Sequence, residues 1–152
     1  MMSDFTEPGD RVIVSACLLG MRSRYDGEDA LREQVLALAK DRVIIPVCPE
    51  QMGGLPTPRP KAEIHGGDGR DVLKGMAEVM DEKGSRVTDN FLKGAEEALK
   101  VARVAGANKA LLKEKSPSCG VSTIIRDSTE TPGTGVTAAL LLSKGIDIKG
   151  IW

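Results

Sequence analysis

A mainly parallel sheet with helices on both faces is the fold class that this chain predicts, and three observations predict it. Short β-branched apolar runs alternate with stretches of helical periodicity, a pattern that implies right-handed βαβ crossovers. The runs RVIVSA (11–16), DRVIIPV (41–47) and NKALLKE (108–114) are continuously apolar at their centres, as strands buried on both faces are. Aromatic residues make up only 3% of the chain, so Val, Ile, Leu, Ala and Met must fill the core. The expected architecture is a three-layer, Rossmann-like α/β domain. With 152 residues, 41% of them apolar, the chain is expected to form a single domain, 1–152, with its own core.

The elements follow in order. The first strand ends in the turn-prone CLLGMRSRYDG, with Cys17 at its carboxyl end. EDALREQVLALAK (28–40) sets Leu31, Val35, Leu38 and Ala39 on one side of a helix, and the second strand then leads directly to Cys48. Residues 49–75 are dense in Gly and Pro and too long for an ordinary connection, which marks them as a functional loop. AEVMDEKGSRVTD (77–89) reads as a small hairpin around Lys83-Gly84, and Thr88 or Asp89 can cap a helix over 90–106 that Gly106 stops. The third strand opens into KSPSCG, with Cys119 at its far side. VSTIIR, the turn PGTG, VTAALLLSKG and IDIKGI complete the chain as strand, helix and strand. All three cysteines thus fall just past strand carboxyl ends, the edge where open α/β sheets build their ligand sites.

Charge narrows the partners. Lys plus Arg (21) nearly balances Asp plus Glu (22), so no overall field draws the protein to nucleic acid, a membrane or an acidic surface. No apolar run reaches the roughly 18 residues that span a bilayer, and the first ten residues lack a leader pattern, so the protein is expected in the cytoplasm. In that reducing compartment, three cysteines are not structural disulfides.

Cysteines held as thiolates on three loops can ligate three irons of a four-iron cluster and leave one iron open. A tight C-x-x-C run, the mark of electron-transfer clusters, is absent, which favours catalysis. Two other readings stand beside this one: zinc, with the lone His65 as a fourth ligand, and three buried cysteines acting as small hydrophobes. Glu50, two residues past Cys48, is either a general acid or base or a plain loop carboxylate. Ser116 and Ser118 either position water or substrate or form an ordinary Ser-Pro-Ser turn. Arg24, Tyr25 and Asp26 are candidates for the pocket mouth, and Gly66, Gly67, Gly69, Gly133 and Gly135 for an anion cradle.

The segments VSACLLG…RYDG, CPE..GGLPTPRP.AEI, GGDG.DV, LKE.SPSCG and GVTAALL together resemble a bacterial family first catalogued as a domain of unknown function, some of whose members are 2-thiouracil desulfidases. The resemblance covers nearly the whole chain. It implies a non-redox desulfidase that turns 2-thiouracil into uracil and sulfide on a 4Fe-4S cluster. The positions that correspond to the cluster ligands are Cys17, Cys48 and Cys119, and those of the catalytic pair are Glu50 and Ser116; Arg24, Tyr25, Asp26 and Ser118 are then expected at the substrate. The implied partners are a small thiolated nucleobase and the iron–sulfur assembly machinery, with neither membrane nor nucleic acid. The alternative is a non-catalytic iron–sulfur or zinc sensor or carrier.

Overall fold

The computed structural model describes residues 2–152. Helix α1 (Met2–Phe5) precedes β1 (Arg11–Ser15), which runs into a 3₁₀ turn (Ala16–Leu19). The short helix α2 (Glu33–Leu36), extended by a second 3₁₀ turn (Ala37–Lys40), leads to β2 (Val43–Val47). Helix α3 (Pro49–Met52), β3 (Ala62–His65), α4 (Gly69–Leu73) and β4 (Glu78–Asp81) occupy the Gly- and Pro-rich stretch and its sequel. Then come α5 (Thr88–Ala105), β5 (Lys109–Lys113), β6 (Thr123–Arg126), β7 (Thr129–Pro132), α6 (Val136–Ser143) and β8 (Asp147–Ile151).

The central sheet has the order β2-β1-β5-β8, and every pairing in it is parallel. From β1 the chain crosses to β2 on one side, then returns past β1 to β5 on the other. The sheet therefore reverses direction of growth between β1 and β5, and the crevice at their carboxyl ends is where ligands bind in such folds. Alternation along the strands feeds two cores. Ile13, Ala110 and Leu112 pack against Leu99 and Ala102 of α5 and Leu141 of α6. On the opposite face Val12, Val14 and Leu111 pack against Leu18, Val35 and Leu38. Helices thus cover both faces of a mainly parallel sheet, as the sequence predicts. A third cluster, around Ile64, Val79, Phe91 and Ile124, seats the antiparallel β3–β4 ribbon and the β6–β7 hairpin beside this body.

Several elements depart from the pattern read along the chain. The helix expected over 28–40 is confined to Glu33–Leu36 and the turn after it. Ala30 and Arg32 instead donate their N–H groups to the carbonyls of Cys17 and Leu18, and Asp29 accepts from the N–H of Leu31. Local bonds of this kind compete with helix formation, and they leave Leu31 and Ala39 exposed. The Lys83-Gly84 turn exists, but β4 finds its main partner in β3. Thr88 does not cap α5; it lies inside the helix, where its hydroxyl bonds both the N–H and the carbonyl of Val79. VSTIIR does not join the central sheet, because Asp127 and Ser128, both at positive φ, turn it back onto β7.

Helix α3, which carries Glu50, lies directly on α5 because both helices present glycine at the contact. A Cβ on Gly94 would stand 1.9 Å from the Pro49 carbonyl oxygen, and one on Gly53 would stand 2.0 Å from that of Asn90. Gly94→Ala is therefore expected to push α3 outward, at a cost of about 2 kcal/mol and a melting temperature about 5 °C lower, read by thermal unfolding.

Candidate active site

Three loops leave the carboxyl edge of β2, β1 and β5 and close around a cavity of about 420 Å³. Each brings one cysteine. Cys17 sits in the 3₁₀ turn after β1, which Gly20 ends in the left-handed conformation. Cys48 follows β2 as the residue before α3, with Pro49 at the first helical position, where its missing N–H costs nothing. Its thiol donates to the Ser23 carbonyl at 3.6 Å. Cys119 lies six residues past β5 and is 4% exposed. All three thiols are free and line the same cavity.

Burial shapes their acidity. It pushes the Cys119 thiol up to about 12, with Ser15 and Ser118 opposing through hydrogen bonds and Cys17 and Cys48 adding to the rise. Burial also raises Cys17, and neighbouring Cys48 adds to the effect. Lys113 lines the same cavity; burial and the Arg32 charge hold its ammonium below the usual lysine range, while Cys17 acts in the opposite direction. Arg24, Arg59, Lys61 and Lys115 add positive charge at the lining, facing Glu50, Glu63 and Glu114.

The loop bearing Cys119 is built around one buried carboxylate. Glu114, 3% exposed, accepts from the backbone N–H groups of Val121, Ser122 and Thr123 and from the Ser122 hydroxyl. A second set of bonds fixes the other side. The N–H groups of Thr137 and Ala138 at the start of α6 donate to the Ser118 carbonyl, and that of Val136 donates to the Pro117 carbonyl. Gly135 allows this approach, since a Cβ there would lie 2.5 Å from the Ser118 carbonyl carbon.

A continuous polar line crosses the cavity. The Ser116 oxygen accepts from the N–H groups of Ser118 (3.1 Å) and Cys119 (3.0 Å) and lies 3.0 Å from the Ser118 oxygen. The Ser118 hydroxyl donates to Glu50 Oε1 at 3.1 Å, and Arg59 Nε donates to Glu50 Oε2 at 2.7 Å. Arg59 is anchored in turn by Thr57 Oγ1 and the carbonyls of Pro56 and Ser23. Its side chain is 4% exposed and that of Glu50 13%, so the pair is largely withdrawn from water and each ion depends on the other.

The structure thus gathers Cys17, Cys48, Cys119, Glu50, Ser116 and Ser118 in one place, with Arg24 and Tyr25 at the lining. Asp26 stands outside the lining and pairs with Arg24 at 3.0 Å. Arg24 and Lys61 approach the Tyr25 ring to 5.8 and 5.6 Å. His65 is exposed on β3, outside the cavity lining, so it is no fourth ligand to the cysteines. Of the glycines read as an anion cradle, several are close-packed: a Cβ on Gly67 would collide with Asp71, one on Gly69 with Gly135, and one on Gly133 would press on Ile124, while Gly66 takes a left-handed φ of 93°. The sequence reading missed Arg59, Lys113 and Glu114. The only signal for Arg59 is an arginine between prolines in the long functional loop; Lys113 and Glu114 look like ordinary charges past a strand end.

Soft sulfur donors beside a clamped carboxylate, set at the switch point of a doubly wound sheet, define an α/β enzyme working at the carboxyl edge of its strands. The comparisons narrow the class. The chain belongs to the 2-thiouracil desulfurase family, whose model matches residues 12–150, and it is an enzyme acting on a carbon–sulfur bond. It is similar to YbbK, an uncharacterised protein of Bacillus subtilis (strain 168), with 41% identity over 137 residues, 88% of this chain and 91% of that protein. Among solved structures it is similar to the [4Fe-4S]-dependent thiouracil desulfidase TudS, with 40% identity and a TM-score of 0.81 over 93% of this chain and 90% of that one.

Two outcomes follow from the geometry. In metal-free protein burial keeps the Cys119 thiol protonated well above the pH at which a free cysteine ionises, so at about pH 8 iodoacetamide should alkylate Cys119 far more slowly than a cysteine in a short peptide, as peptide mass spectrometry reads. Glu114→Gln turns one acceptor into a donor facing backbone N–H groups, and unfolding should show a loss of about 2 kcal/mol or more.

Proposed function

We propose that this protein is a hydrolytic desulfidase that converts 2-thiouracil, or a closely related thiolated pyrimidine, to the oxygen compound and sulfide, with a 4Fe-4S cluster held by Cys17, Cys48 and Cys119. The donor chemistry supports the cluster. Three free thiols from three separate loops line one cavity of about 420 Å³. Three thiolates match the ligand set that leaves one iron of such a cluster open, and His65, exposed on β3 and outside the cavity lining, supplies no fourth ligand for a single zinc. When bound, such a cluster supplies an open iron, a Lewis acid suited to the soft sulfur of a thiocarbonyl.

The remaining chemistry belongs to the chain. Glu50, aimed by Arg59, is the general base that takes a proton from the attacking water and the acid that returns it to the departing sulfur. Ser116, with two backbone N–H groups on its oxygen, is the polar group that steadies the reacting centre. Arg24 and Tyr25 hold the heterocycle at the mouth, and Asp26 holds Arg24. The ends of the reaction balance without a reductant: one C=S and one water give one C=O and one hydrogen sulfide. A small base suits the cavity, and the balanced net charge favours it over a polynucleotide. We also place the protein, as one domain spanning residues 1–152, in the cytoplasm, where the iron–sulfur assembly machinery would load it; three free thiols accord with a reducing compartment.

The single observation that carries this reading is the placement of all three thiols and the Glu50 carboxylate on one cavity wall-to-wall. The test is anaerobic reconstitution with iron and sulfide, followed by assay of sulfide released from 2-thiouracil. The loaded protein should release sulfide. Glu50→Ala and Ser116→Ala should each lower turnover by about 10²-fold or more while keeping their iron, whereas Cys17→Ala should lose it. A fully loaded protein that releases no sulfide overturns the reading.

A further inference from the structure

Most of the charged side chains that line the cavity are committed to a partner. Arg59 pairs with Glu50, Arg24 with Asp26 and Lys115 with Glu130. Glu63 accepts the N–H groups of Asp127 and Ser128, and Glu114 those of Val121, Ser122 and Thr123. Lys61 rests over the Tyr25 ring at 5.6 Å. Lys113 differs from all of these. Among the described residues no carboxylate pairs with it, and its ammonium donates to the backbone carbonyl of Glu114 at 3.1 Å.

The fold seats this lysine next to the sulfur donors. Lys113 ends β5, and its N–H donates at 3.0 Å to the hydroxyl of Ser15, the last residue of β1. That hydroxyl in turn hydrogen-bonds the Cys119 sulfur. The side chain is half-buried; Arg32, Lys115 and Arg24 press on it with like charge, while Cys17 draws it. A cation held among cations without a counter-ion is costly where water is scarce. The cost falls when negative charge occupies the cavity beside it, and the three cysteines are the groups able to bring that charge.

We propose that Lys113 is the fixed counter-charge of the three-thiolate centre, a positioning residue that holds the centre's negative charge inside the cavity and raises its reduction potential without ligating metal. The proposal rests on the cluster part of the reading above. Lysine suits the task because its ammonium is a compact point charge that has no lone pair to give to iron. No proton moves and no bond forms or breaks at Lys113; its contribution is the field that it supplies. A cation beside a metal centre favours the state that carries one electron more, so removing the cation lowers the potential. Lys113 acts on the reaction only through that centre.

The experiment loads the parent, Lys113→Gln, Lys113→Arg and Lys144→Met anaerobically with iron and sulfide. It reads iron content, melting temperature and, by an optically followed redox titration, the midpoint potential. Lys113→Gln removes the charge but keeps a donor for the Glu114 carbonyl. Lys144, exposed after α6 and outside the cavity lining, removes the same charge from elsewhere on the surface. Lys113→Gln should shift the reduced-to-oxidised ratio about tenfold toward the oxidised form, a midpoint about 59 mV more negative for one electron. Lys113→Arg, which keeps the charge, should stay within about threefold of the parent ratio, and Lys144→Met should match it.

A midpoint of Lys113→Gln equal to that of the parent or of Lys144→Met overturns the counter-charge, and so does an equal shift in Lys113→Arg. Loss of iron from folded Lys113→Gln supports it when Lys113→Arg keeps its iron, because the centre then needs the charge; loss from both overturns it. If Lys113→Gln shows no folding transition, Lys113→Met is read in its place on the same terms. A parent that takes up no iron loses the cluster reading and the counter-charge together. A parent that loads iron but releases no sulfide from 2-thiouracil loses the desulfidase reading alone, and the midpoints still decide the role of Lys113.

Discussion

Everything in this protein depends on β1 being paired in parallel on both of its edges. Its residues run in register with β2 from Arg11 opposite Val43 to Ser15 opposite Val47, and with β5 from Val12 opposite Lys109 to Val14 opposite Leu111. Parallel pairing points all carboxyl ends the same way, so the loops bearing Cys17, Cys48 and Cys119 leave from one edge. The same register brings the Lys113 N–H to the Ser15 hydroxyl at 3.0 Å, tying the two strand ends together beside the buried thiol of Cys119. A one-residue slip would turn Ile13 and the other core residues to the wrong face, so the apolar cores and the thiol geometry are held by one constraint.

The loops at that edge carry buried polar groups, Glu114 and Ser118 among them, and these are engaged in hydrogen bonds. Glu114 collects the N–H groups of the loop that follows it, and the start of α6 collects the carbonyls of Pro117 and Ser118. Arg59 and Glu50 neutralise one another where water is scarce. A network of this kind rigidifies its members when complete and is costly when one is removed. This explains why a cavity assembled from three loops has a definite shape, and why the glycines around it are spent on close approach: Gly94 under α3, Gly135 against Ser118.

Much of this was legible along the chain. The three central strands show because strands buried on both faces are uninterrupted apolar runs, and the long helix α5 shows because its buried positions recur at helical spacing until Gly106, at a left-handed φ of 68°, stops it. The cysteines and Glu50 show because they stand at strand ends in Gly- and Pro-rich surroundings. The stretch 28–40 misled because its apolar spacing suits a helix, while the backbone of 30 and 32 had a better offer from the carbonyls of the first loop. VSTIIR has the composition of a central strand, yet its neighbours Asp127 and Ser128 turn it into a hairpin, a tertiary preference no periodicity records.

The amino-acid sequence by itself determined the layer architecture, the points where the strands stop and the identity of the sulfur donors, because these depend on local patterns of apolarity and turn chemistry within a few residues. Only the tertiary structure decided which side chains meet. Arg59 reaches Glu50 from nine positions away, and Ser118 reaches it from 68, across the gap between two different loops. Such contacts are set by strand order and by the shape of the packed loops, and hydrogen-bond direction is set by what else each oxygen already holds. Those are properties of the assembled fold, so the carboxylate clamp and the serine line became visible only when the loops were brought together.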